Sequence, residues 1–125
     1  MLKGKVVLIL EDDSEMRSIF KEELTAVGAE VLEAPNGVVG FQMIKSFNVD
    51  IVVSDLNMPD GDGLEFCRKV KALPGKKPKI LLCSGQVGLN ATMMQKAGAT
   101  RFIFKPFDML VLIKTIAVAL RDEAA

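Results

Sequence analysis

The chain has 125 residues, half of them hydrophobic and 26% charged, which fits one globular domain and leaves little room for a second. Lysine plus arginine and aspartate plus glutamate both number 16, so the formal net charge is zero and the basic footprint of a nucleic-acid binder is missing. With no histidine, the chain can perform neither Ser-His nor Cys-His catalysis and carries no phosphohistidine of its own, and no apolar run nears the roughly 20 residues of a membrane span.

In chain order, apolar runs of strand length alternate with stretches of helical period. The opening Met1-Leu2-Lys3-Gly4-Lys5 lacks a signal-peptide pattern, which makes the cytoplasm the expected compartment. Lys5–Leu10 is a continuous β-branched and aliphatic run of the kind buried on both faces of a sheet. Over Ser14–Val27 the period changes to that of a helix, with Met16, Ile19, Phe20 and Leu24 on one expected inward face and Gly28 as the stop. Glu30–Ala34 reads as the second strand. Asn36 is placed to cap a helix through about Ser46, with Val38, Phe41 and Ile44 inward. Asp50–Ser54 is the third strand.

Met58-Pro59-Asp60-Gly61-Asp62-Gly63 breaks both periods and reads as a turn. It lacks the ligand periodicity and terminal glutamate of a calcium loop. A helix to about Ala72 follows, with Leu64, Cys67 and Val70 inward. Lys79–Cys83 is the fourth strand, about Asn90–Ala97 a helix, Arg101–Phe104 the fifth strand, and Phe107 to about Leu120 the last helix, with Leu110, Ile113, Ala117 and Leu120 inward. Cys67 and Cys83 are expected to be reduced core thiols. Five βα units in a row imply a doubly wound α/β fold, a five-stranded parallel sheet with helices on both faces.

In such a sheet, ligands bind outside the carboxyl ends of the strands. Glu11-Asp12-Asp13 follows the first strand, Asp55 the third, Ser84 the fourth and Lys105 the fifth. Each has an ordinary explanation when taken alone: an acidic first helical turn, a cap, a loop hydroxyl, a solvated lysine. Together they place carboxylates, a hydroxyl and an ammonium at one edge. Clustered carboxylates repel one another unless a cation neutralises them. All-oxygen ligands select Mg²⁺ or Mn²⁺ over zinc. A carboxylate beside such an ion can attack phosphorus and form an acyl phosphate, with the metal, lysine and hydroxyl drawing charge from the phosphoryl oxygens.

Leu10-Glu11-Asp12-Asp13, Ser54-Asp55-Leu56-Asn57-Met58-Pro59-Asp60-Gly61, Asp62-Gly63-Leu64-Glu65, Cys83-Ser84-Gly85 and Phe104-Lys105-Pro106-Phe107 together resemble the receiver domain of bacterial response regulators over essentially the whole chain, residues 1–125. The small stand-alone chemotaxis receiver is the most similar type. That resemblance supplies the flavodoxin-like strand order 2-1-3-4-5. It implies that Asp55 is the phosphoacceptor, that Asp12 ligates the metal directly and Glu11 either directly or through water, and that the backbone carbonyl of Asn57 is a further ligand. Ser84 and Phe102 resemble the switch pair, and Lys105 the lysine that pairs with the acceptor and then with the phosphoryl group. Asn57 and Gln86 occupy positions that tune dephosphorylation. The resemblance also implies a cis peptide between Lys105 and Pro106.

The implied function is Mg²⁺-dependent phosphoryl transfer from a histidine kinase or histidine phosphotransfer protein to Asp55. Transfer would switch the face built from the helix over about 90–97, the fifth strand and the last helix toward a downstream protein, as a monomer or a phosphorylation-dependent dimer. Such a receiver catalyses only its own phosphorylation and dephosphorylation and is not a turnover enzyme. Two other classes are a pseudo-receiver that binds partners without taking phosphate, and a metal-dependent phosphatase with Asp55 as nucleophile. The intact acid pair, acceptor, hydroxyl and lysine argue against the first. Asn57, where the second would have a general acid, and the lack of a cap domain argue against the other.

Overall fold

The computed structural model describes residues 2–56, 63–84, 96 and 98–121, with only the backbone at Ser84. In chain order the elements are β1 Val6–Leu10, α1 Ser14–Ala26, β2 Glu30–Ala34, α2 Gly37–Ser46, β3 Ile51–Asp55, α3 Gly63–Lys71, β4 Lys79–Ser84, β5 Arg101–Phe104 and α4 Met109–Arg121. All strand pairs are parallel, in the order β2-β1-β3-β4-β5. The expected helix over Asn90–Ala97 lies outside the described residues apart from Lys96, and so does the expected turn over 58–62.

The sheet separates two cores because successive side chains of a strand point to opposite faces. Val7 and Ile9 of β1, with Val53, Leu81 and Cys83, face Phe20 and Leu24 of α1 and Leu112, Ile113, Ile116 and Ala119 of α4. Leu8 and Leu10, with Val52, Ile80 and Leu82, face Phe66, Cys67 and Val70 of α3 and the partly buried Phe41 and Ile44 of α2. Central strands buried on both faces explain the unbroken apolar runs. Cys67 and Cys83 are buried thiols on opposite faces of the sheet and are not joined in a disulfide.

Local chemistry sets the helix ends. Asp13 caps α1 by accepting from the N–H groups of Glu15 at 2.9 Å and Met16 at 3.3 Å. Asn36 caps α2 by accepting from Val39 N–H at 2.9 Å. Asp108 accepts from Val111 N–H at 2.9 Å, so α4 starts at Met109 and not at Phe107. Gly28, at φ 101, ends α1 in a backbone conformation that suits glycine. β3 and β4 each run one residue further than expected, to Asp55 and Ser84, which makes Asp55 the last residue of a strand.

Several expected inward faces are corrected. Met16 and Ile19 are exposed, and only Phe20 and Leu24 of that stripe are buried. Val38 is exposed. On α4 the expected Leu110 is 56% exposed, while Leu112, Ile116 and Ala119 carry the packing with Ile113. α4 is apolar nearly all round, so its periodicity does not single out one face, and contact with the sheet does.

Candidate functional site

The strand order brings the polar residues together. β1 and β3 are neighbours at the centre, and their connections leave toward opposite halves of the sheet. This opens a crevice at their carboxyl ends. Glu11 and Asp12 leave β1 there, Asp55 ends β3, and Lys105 directly follows β5, with the cis Lys105–Pro106 peptide after it. Carboxylate oxygens of Glu11, Asp12 and Asp55 lie within 4.8 Å of one another, among the described residues the one group of three or more acids or thiols close enough to hold a metal ion. Lys105 Nζ lies 3.2 Å from Asp55 Oδ2.

These groups line a cleft of about 660 Å³ whose other wall is apolar: Met16, Ile19, Phe20, Phe107 and Met109. Met16 and Ile19, exposed and not packed in the core, border this cleft. Sequence periodicity had assigned both to the core.

The acidic turn is built tightly. Glu11 N–H donates to Ala34 O at 3.2 Å, extending the β1–β2 pairing past the strand. Its carboxylate, on a residue only 4% exposed, accepts from Asp13 N–H at 3.2 Å. Arg17 Nη1 donates to the Glu11 carbonyl at 2.9 Å. Burial, and next a hydrogen bond with the Asp12 carboxyl, push the Glu11 pKa from 4.5 up to about 7. Asp55 adds to this rise by repulsion, while the Asp13 N–H and Lys105 oppose it. Three carboxyl groups meet one ammonium here, so ionising all three is costly unless a cation joins them. An all-oxygen donor set of this kind fits a hard divalent cation.

Gly63 opens α3 directly under the acid at the end of β3. Its N–H donates to Leu56 O at 2.9 Å. A Cβ there would lie 2.9 Å from the Asp55 carbonyl oxygen and 3.0 Å from Leu56 Cα, both backbone atoms that cannot turn aside. Gly63→Ala is expected to destabilise the fold by about 1–3 kcal/mol in urea unfolding. Wild-type stability in that variant would show that α3 slides away without cost.

Phe102 is partly buried against the α2/α3 core, its ring 5.7 Å and 71° from that of the half-exposed Phe104, an edge-to-face pair. Burial pushes the Cys83 thiol up to about 12, so it is an inert core group despite its place beside the site. The backbone of Ser84 ends β4 in register with Phe104. The Ser84 side chain, Asn57 and Gln86 lie outside the described part of the structure. Arg17 is the site neighbour that sequence reasoning missed, because a contact from position 17 back to position 11 follows neither helical nor strand spacing.

Residues 7–117 match the family model of the response regulator receiver domain. The chain is 37% identical over 108 residues to the chemotaxis protein CheY of Thermotoga maritima, covering 84% of this chain and 88% of that protein. A putative response regulator from Chloroflexus aurantiacus superposes with a TM-score of 0.87 at 28% identity, covering 95% of this chain and 99% of that one. The chemotaxis response regulator CheY4 of Vibrio cholerae gives 0.85 at 27% identity, covering 92% and 98%.

Proposed function

The chain belongs to the response regulator receiver domain family of two-component signalling, and from that premise we propose that it is one receiver unit that takes a phosphoryl group on Asp55. The observation that carries the reading is the cluster of Glu11, Asp12 and Asp55 carboxylates within 4.8 Å, with Lys105 on Asp55 at 3.2 Å.

In this reading Glu11, Asp12 and Asp55, with the Asn57 carbonyl that the family resemblance adds, would hold Mg²⁺ or Mn²⁺. Such a cation, when bound, would supply the charge neutralisation that lets two anions meet. An Asp55 carboxylate oxygen attacks phosphorus and forms the O–P bond. The bond to the donor breaks, and the donor leaves with its electron pair, as imidazole from a phosphohistidine or as acetate from acetyl phosphate. Lys105 passes from the Asp55 carboxylate to a phosphoryl oxygen. These 125 residues contain no histidine, so a phosphohistidine donor lies outside them, on a histidine kinase or a histidine phosphotransfer protein.

The Ser84 hydroxyl then turns toward the phosphoryl group and Phe102 moves inward. The face around β5 and α4, where Phe104, Leu110 and Val111 stand exposed, changes for a downstream protein.

Acetyl phosphate with Mg²⁺ is expected to add a single phosphoryl group in an intact mass spectrum, and a chelator to prevent it. A mass unchanged by acetyl phosphate and by a phosphorylated histidine kinase would overturn the proposal in favour of a binding module that takes no phosphate.

A further inference from the structure

We infer that Arg17 is a positioning residue for the acid pair, clamping the turn that presents Glu11 and Asp12 to the cation. The inference rests on the reading of those two residues as metal ligands. The backbone at Arg17 makes the first bond of α1, and its side chain reaches back to the start of the turn. Its backbone N–H donates to Asp13 O at 2.9 Å, and its guanidinium donates to Glu11 O at 2.9 Å. The two carbonyls flank Asp12; the helix bond fixes the Asp13 end whatever side chain stands at 17, and the guanidinium fixes the Glu11 end from which both carboxylates are aimed.

The guanidinium is itself braced. Its Nε lies 3.8 Å from Glu33 Oε1 on β2, and Lys21 Nζ lies 3.4 Å from Glu33 Oε2. Partly exposed ion pairs at such distances contribute little to stability. A bond from a charged donor to a partly buried carbonyl contributes more and has direction. The charge of Arg17 is also shared with Glu33, which weakens its repulsion of a bound cation. Positioning and charge therefore predict opposite signs. If Arg17 acts by holding the turn, its loss weakens Mg²⁺ binding. If it acts only as a nearby cation, its loss strengthens binding.

The test is calorimetric titration with MgCl₂ of wild type, Arg17→Ala, Arg17→Lys and Glu33→Gln, with thermal unfolding of each recorded separately. Removing a group that orients a ligand typically costs 10–100-fold in metal affinity, and because Arg17 holds backbone and not carboxylate, a loss of about tenfold is expected for Arg17→Ala. Arg17→Lys should recover part of it and Glu33→Gln should stay within about threefold of wild type, since the carbonyl bond survives in Glu33→Gln. Unchanged or tighter Mg²⁺ binding by Arg17→Ala or, should that variant not fold, by Arg17→Lys overturns the inference. A Glu33→Gln loss equal to that of Arg17→Ala also overturns it, by assigning the effect to the ion pair. Wild type that binds no Mg²⁺ overturns the metal-site reading itself, and the role of Arg17 falls with it.

Discussion

Asp55→Asn will gain no phosphoryl group from acetyl phosphate and Mg²⁺ while remaining folded. Asp55 is the acid that touches both halves of the site: its carboxylate lies within 4.8 Å of those of Glu11 and Asp12 and 3.2 Å from Lys105. An amide keeps the shape but lacks the anionic oxygen needed to attack phosphorus. The structural cost is small. Losing the pair with the partly exposed Lys105 amounts to about 0–1 kcal/mol, and removing the Asp55 charge also relieves repulsion on Glu11. Circular dichroism should therefore match wild type. A phosphoryl gain that persists in Asp55→Asn would move the acceptor to another carboxylate.

The metal-free protein is expected to lose stability as pH rises from 4.5 to about 7, because Glu11 takes a proton more readily folded than unfolded. The direction follows from linkage. Below 4.5 Glu11 is neutral in both states and costs nothing. Between 4.5 and about 7 the unfolded chain releases its proton while the folded one keeps it. Above about 7 the buried carboxylate is charged and its full penalty is present. A shift of this size corresponds to a contribution of about 3 kcal/mol. Bound Mg²⁺ would offset it, so Mg²⁺ affinity should rise with pH, by up to about tenfold per unit, until Glu11 is ionised and then level off.

Urea unfolding in chelator across this range, with and without Glu11→Gln, checks the first part. The variant should lose the slope and be more stable than wild type at neutral pH. Calorimetric Mg²⁺ titration at several pH values checks the second. An identical slope in Glu11→Gln would assign the pH dependence to another group.

The site was legible in the sequence wherever chemistry and strand ends coincide. Glu11, Asp12, Asp55 and Lys105 each follow or end an apolar run, and a parallel sheet must deliver the carboxyl ends of its strands to one edge. Asn36 announced its helix start for a similar reason, since its cap bond spans three residues of local chain. The adjacency of β1 and β3, which brings Glu11 and Asp55 within reach, came from family resemblance, because pairing between strands some forty residues apart leaves no local signature.

The tertiary structure alone decided what depends on a second element. Met16 and Ile19 fit an inward stripe by spacing, yet they line the acidic cleft, because α1 meets the sheet through Phe20 and Leu24. Leu110 gave way to Leu112 and Ile116 on a helix apolar nearly all round, where the sheet and not the period chooses the buried face. The raised pKa of Glu11 likewise needs burial and the nearness of Asp12 and Asp55. Arg17 reaches the Glu11 carbonyl only once α1 has turned back over β1. Composition and period report which groups a segment offers, whereas burial, charge coupling and long side-chain contacts are set by the element that packs against it.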